Sequence, residues 1–190
     1  MYALQRNFKI DEIELINFVN LNKNERNIVL RMRNHEEVRK WMYNDKIIPL
    51  EEHYRFIRSL KKDSKNFYFL VRRQNRPIGV VCLTGVDLRN RSGYLGLYAN
   101  PFSRGGKVGR ILGSTLLKLA FDVAKLHTLK LEVIEDNERA IHLYKKLGFV
   151  EEGRLREFVF RDGKWKDVIV MGMTKEEYRR KYHESVENRK

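Results

Sequence analysis

Cysteine, proline and acidic residues are all scarce in this chain of 190 residues, which has one Cys, three Pro, and 25 Asp and Glu against 39 Lys and Arg. The lone thiol, Cys82, excludes an internal disulfide. It lies in the apolar run Ile78 to Leu83, with no partner at the spacing of a zinc site or redox pair, and reads as a structural thiol. No metal site is expected. No apolar run is long enough to span a bilayer, and "MYALQRNFKI" lacks the pattern of a secretory leader, so a cytoplasmic protein without a membrane partner is expected. No Pro-, Gly- or Ser-rich linker and no repeat divides the chain, which points to one domain over 1–190 with its core at about 8–174.

The acidic deficit leaves a formal net charge of +14, which favours an acidic partner such as a nucleic acid, an anionic membrane or a small phosphate-rich ligand. The basic residues are spread along the chain. A nucleic-acid-binding module would need a localised basic patch with stacking aromatics, and none is visible.

Period-two runs predict strands near 12–19, 66–73, 76–86, 92–99 and 128–135, the middle three forming an antiparallel meander. A helical stretch covers Asn24 to Met42, with Val38, Trp41 and Met42 on one face. A second begins at Pro49 and carries His53, Phe56, Ile57 and Leu60 on one side. From Val108 to Val123 the leucines and Ile111 recur at three- and four-residue spacing, and residues 137–149 form a helix closed by Gly148. Residues 153–173 form a hairpin turning at Asp162-Gly163, and 174–190 a charged helix. The sum is a mixed α/β arrangement with about seven strands.

Between a strand and the long helix lies "SRGGKVGRILG", residues 103–113. A strand, a glycine-containing loop and a helix N-terminus make an anion site, because the first helical N–H groups lack partners and face a ligand at the positive end of the dipole. Glycines there also serve the geometry of the turn alone. The stretch fits neither the dinucleotide G-x-G-x-x-G pattern nor the P-loop.

Together with residues 94–121, "LEVIEDNERAIHLYKKLGF" at 131–149 resembles the GCN5-related N-acetyltransferase (GNAT) superfamily. The loop pattern of that family is Arg/Gln-x-x-Gly-x-Gly/Ala. Arg104 and Gly109 match it, and Lys107 stands where the first glycine belongs, although Lys cannot adopt a glycine-only conformation cheaply. Asn137, Ala140, Tyr144, Lys146, Gly148 and Phe149 match the second motif.

The resemblance implies a mostly antiparallel sheet splayed between its fourth and fifth strands, with acetyl-coenzyme A entering at the splay. Leu97, Tyr98, Arg104, Gly105, Gly106, Lys107, Val108, Gly109 and Arg110 would then hold the coenzyme, and Asn137 its pantetheine arm. Tyr144 would protonate the departing thiolate, a task suited to a phenol that keeps its proton at neutral pH. Asn137 also reads as a helix N-cap, and Tyr144 as a core aromatic. Acetylating an amine further requires a base. Glu132 is the candidate: it lies opposite Leu129, Leu131 and Val133 on its strand, facing a cleft or the other core layer, where partial burial would suit it to take a proton. A carboxylate paired with a nearby Lys or Arg is the alternative.

Residues 29–57 resemble the branch that holds ribosomal-protein N-terminal acetyltransferases and the amino-sugar N-acetyltransferases of pseudaminic acid biosynthesis. The likeness to the amino-sugar enzymes runs nearly end to end, through "RNH", "WMY", "GYLGLY" and the second motif. It implies a small UDP-linked 4-amino-4,6-dideoxy sugar as acceptor, with Arg33, His53, Thr84 and Tyr94 lining its site and Trp41 and Met42 as cleft wall or packing. A homodimer is compatible with this reading, and a protein N-terminus is the other acceptor. His53 equally suits a core position on its apolar helix face.

Overall fold

The computed structural model of the chain describes residues 4–103 and 107–184. The expected coenzyme residues Arg104, Gly105 and Gly106, and the end of the charged C-terminal helix, lie outside the described residues.

The strands are β1 (Phe8–Ile10), β2 (Ile13–Asn17), β3 (Phe67–Arg73), β4 (Arg76–Asp87), β5 (Ser92–Ala99), β6 (Thr128–Ile134), β7 (Val150–Arg161) and β8 (Lys164–Thr174). They form one sheet in the order β1-β2-β3-β4-β5-β6-β8-β7, antiparallel at every pairing except β5 with β6. The eighth strand beyond the expected seven is β1, three residues turned onto β2 by Asp11 in a left-handed conformation (φ 53°). Too short to show a period, it shifts the count so that the expected splay falls between β5 and β6. The β7–β8 hairpin turns where predicted, with Asp162 and Gly163 at φ 54° and 73°, the pair of positive values a tight hairpin requires.

Helices cover both faces. Opposite one face lie α4 (Val108–Lys118), α5 (Glu138–Leu147) and α6 (Lys175–Arg179), around a core with Leu112, Leu116, Leu117 and Leu147. Each such buried leucine contributes about 2 kcal/mol of transfer free energy. The predicted helix at 108–123 passes into a π turn at Leu119–Val123. The other face is covered by α1 (Lys23–Asn34) and α3 (Leu50–Ser59), which bury Val29, Met32 and Ile57 against Leu70 and Val80.

Asn22 and Glu25 form a capping box that starts α1. The single helix expected over 24–42 is in fact two, because His35 turns extended (φ −64°, ψ 138°) and caps the short α2 (Glu36–Arg39). That break releases residues 40–48 as a loop across one end of the sheet. No helix among the described residues is long and apolar enough to cross a membrane.

Candidate active site

The parallel pairing of β5 and β6 covers only Ser92 with Thr128, Gly93 with Leu129 and Tyr94 with Lys130. Beyond Tyr94 the strands part, because β5 stays bonded to β4 as far as Ala99 while β6 follows β8 as far as Ile134. The edge of β5 from Leu95 to Ala99 therefore carries backbone donors and acceptors that β6 does not satisfy, an edge that an extended amide-bearing molecule can join as a strand does. Leu97 turns its side chain into the α4 face and Tyr98 into the α1 face, so both would meet such a molecule through their main chain.

The chain leaves β5 through a turn at Asn100–Ser103 and enters α4 at Val108, with Lys107 as its N-cap. Lys107 takes φ −123°, an ordinary conformation, so its place in the loop needs no glycine. Its side chain does not cap the helix, and the first N–H groups of α4, at Val108, Gly109 and Arg110, have no carbonyl partner within the helix. Gly109 has a packing role as well: a Cβ there would stand 3.1 Å from Leu143 of α5.

A cleft of about 340 Å³ opens where the strands part. Thr84 of β4 and the neighbouring Tyr94 and Leu95 of β5 form one side, Glu132 and Ile134 of β6 the other, and Trp41, Met42 and Tyr43 of the 40–48 loop the roof. The loop is fastened along its length. Asn34 exchanges two hydrogen bonds with the backbone of Ile48, each 2.9 Å, and Arg33 Nη2 donates to the Asn44 carbonyl at 2.6 Å. From the far hairpin, Arg161 donates to the carbonyls of Lys40 (2.9 Å) and Met42 (2.6 Å) and faces Asp45 at 3.5 Å.

Glu132 stands at the mouth of the splay, two residues past the last paired position of β6, and is exposed rather than partly buried as expected. Its Oε2 accepts a 2.5 Å hydrogen bond from the Tyr43 hydroxyl. Tyr144 of α5 is only 7% exposed, and burial, aided by the nearby Cys82, pushes its hydroxyl above the usual phenol range, so it holds its proton. The Cys82 sulfur lies over Gly96, where a Cβ would come within 2.8 Å of it, and burial pushes the thiol up to about 12. Such a thiol is a poor nucleophile. Asn137 caps α5 by accepting from the Ala140 N–H at 3.2 Å.

Of the expected acceptor residues, Trp41, Met42, Thr84 and Tyr94 come together in the cleft with Glu132. His53 does not. It is 4% exposed between α3 and α1, with Nε2 3.0 Å from the Arg26 carbonyl, and burial lowers its proton affinity. Arg33 fastens the loop, while its Nη1 is buried with no partner among the described residues; burial lowers the guanidinium's proton affinity against the opposing pull of Tyr98 and Asp45. Tyr43, Leu95, Ile134 and Arg161 carry no signal of their own in the sequence, Tyr43 appearing there only inside "WMY". A cavity of similar size, about 360 Å³, lies among Phe121, Lys125, Lys175 and Tyr178, but Glu132 does not line it; Tyr144 is among the lining residues of neither cavity.

The chain is similar in sequence and fold to known acetyltransferases. The chain is 38% identical over 148 residues to acetyltransferase PseH of Campylobacter jejuni, covering 78% of this chain and 91% of that protein. It is 34% identical over 105 residues to the spermidine N(1)-acetyltransferase of Vibrio cholerae, covering 55% of this chain and 61% of that one. The crystal structure of C. jejuni PseH in complex with acetyl coenzyme A superposes with a TM-score of 0.66 at 30% identity, covering 85% and 98% of the two chains. That of the V. cholerae spermidine enzyme in complex with CoA and spermine gives 0.81 at 25% identity, covering 89% and 99%. Over residues 31–149 the sequence matches the profile of the Acetyltransferase (GNAT) family, whose members use acetyl-CoA, and with β5 parting from β6 beside an uncapped α4, the chain belongs to that family.

Proposed function

We propose that the chain transfers the acetyl group of acetyl-CoA to the 4-amino group of a UDP-linked 4-amino-4,6-dideoxy sugar, a step of pseudaminic acid biosynthesis. The observation that carries the acceptor class is the composition of the cleft: among its described residues Glu132 is the one carboxylate, set among Trp41, Met42, Tyr43 and Tyr94. A single carboxylate beside aromatic faces suits an acceptor that brings one ammonium into the cleft. A polyamine with several ammonium groups would leave its other charges without counter-ions. The +14 net charge favours a nucleotide diphosphate over a polycation, and the PseH relatives point the same way.

The open edge of β5 and the first N–H groups of α4 fit a molecule with amides along an arm and phosphates at one end. Bound there, the coenzyme supplies an acetyl group activated as a thioester. Leu97 and Tyr98 would hold its arm through their main chain, with Asn137 alongside, and residues 104–110 would hold its pyrophosphate. Glu132 takes the proton of the acceptor ammonium, directly or through a water, which frees the nitrogen lone pair. The freed amine would attack the thioester carbonyl and form the C–N bond, Tyr144 would give its hydroxyl proton to the sulfur as the C–S bond breaks, and the proton shed by the acylated nitrogen would leave through water, restoring the phenol. Thr84 and Tyr94 place the sugar, and Arg33 shapes its site through the loop that it fastens.

Thiol release from acetyl-CoA in the presence of the UDP-amino sugar, a ribosomal-type N-terminal peptide or spermidine tests the reading. Turnover with the sugar at least tenfold above either alternative is expected. Preference for the peptide or spermidine overturns the acceptor, and salt-sensitive nucleic-acid binding without thiol release overturns the enzyme.

A further inference from the structure

We propose that Tyr43 is a positioning residue for Glu132: its hydroxyl commits Oε2 and leaves the other oxygen to face the acceptor nitrogen. This rests on the reading of Glu132 as the base.

The geometry favours a working hydrogen bond over incidental contact. Tyr43 Oη meets Glu132 Oε2 at 2.5 Å, at the short end for a hydroxyl donating to a charged acceptor. The phenol is carried by a braced loop, with Arg161 holding the carbonyl of the preceding Met42 and Arg33 that of the following Asn44. Its ring meets Phe158 edge-on at a centroid distance of 5.9 Å. Phe158 follows Glu157, whose left-handed φ of 51° lies within an irregular stretch of β7 between Leu155 and Val159. The Glu157 N–H is pinned by Asp167 Oδ1 at 2.8 Å, so the bend that turns Phe158 toward Tyr43 is itself held. Burial and the Glu132 charge both push the Tyr43 hydroxyl above the usual phenol range, which keeps it a donor throughout the working pH range.

Most charged neighbours of Glu132 are already engaged. Lys130 on its own strand pairs with Glu152 of β7 at 2.6 Å, Arg154 of β7 with Glu135 and Asp167, and Asp45 of the loop with Arg161. Opposite it on β8 is Val170, and across the cleft Tyr94 and Thr84 are neutral.

Two measurements on the full chain test the proposal. The first follows the Glu132 carboxyl-carbon NMR resonance at pH 7.5 in enzyme free of acceptor, assigned by its loss in Glu132→Gln. In Tyr43→Phe, which keeps the ring on Phe158, the resonance should shift, because the donor to Oε2 is gone. An unchanged resonance overturns the proposal. The second follows thiol release from acetyl-CoA with the UDP-amino sugar at the same pH. Tyr43→Phe should lower kcat about tenfold and leave KM for acetyl-CoA unchanged. Made in Glu132→Gln, the same substitution should cost less than about twofold more, because Tyr43 acts through that carboxylate. A further tenfold loss in the double variant overturns the proposal. If the resonance moves but Glu132→Gln keeps wild-type turnover, the base assignment fails while the Tyr43–Glu132 coupling stands.

Discussion

The Tyr43 hydroxyl reaches across the cleft to the Glu132 carboxylate at 2.5 Å, joining positions 89 apart in sequence. It ties the loop that follows α2 to the strand that bears the proposed base, so the roof and one side of the cleft are joined through one phenol.

Glu132→Gln keeps the shape of the side chain and removes its ability to take a proton. The expected outcome is a fall in kcat/KM of about 10²-fold or more at neutral pH. Steady-state thiol release at that pH measures it.

Tyr144→Phe leaves the ring packed at 6.0 Å from that of Phe149 and deletes only the buried hydroxyl. If the hydroxyl protonates the thiolate, kcat falls about 10²-fold while KM for acetyl-CoA changes little, because the loss is confined to the transition state. Thermal melting of the variant should stay within a few degrees of wild type.

Cys82→Ala should retain acetyl transfer within about threefold, because a thiol held near 12 supplies almost no thiolate at neutral pH. Wild-type activity should likewise survive prolonged exposure to iodoacetamide. Mass spectrometry showing an acetyl group on Cys82 during turnover would contradict both expectations.

Burial depresses the proton affinity of His53 in the folded state. Below the unfolded value of about 6.5, the unfolded chain therefore binds a proton that the folded chain refuses. Stability contributed this way is full above that pH and is lost as pH falls toward the folded value, with a slope of up to about 1.4 kcal/mol per pH unit. Urea midpoints between pH 7.5 and 5 should fall with pH, and less steeply in His53→Gln.

Much of the scaffold can be read from local pattern. The hairpin at Asp162-Gly163, the long helix after the glycine loop and the closure of α5 at Gly148 each depend on neighbours within a few positions. Tyr144 and Asn137 stand out through a dense motif, although that motif is silent on how burial tunes the hydroxyl. His35 hides its helix break, because the break is stabilised by later parts of the chain: its ring packs edge-on against Phe102, and Asn34 beside it is bonded to Ile48. His53 was expected at the acceptor site and also suited a core position. Periodicity placed it on the apolar face but could not show that the Arg26 carbonyl satisfies its ring. Tyr43 with Glu132, and Arg161 with Met42, are contacts across the fold with no sequence period to announce them.

Arg161 and Phe158 belong to the β7–β8 hairpin, beyond the 31–149 stretch that defines the family, and neither is among the residues lining the cleft. The cleft is therefore built in two separate pieces, a roof from residues 40–48 and its mounting from the hairpin. A graft that moves only the roof between relatives would deliver its side chains on an unbraced frame.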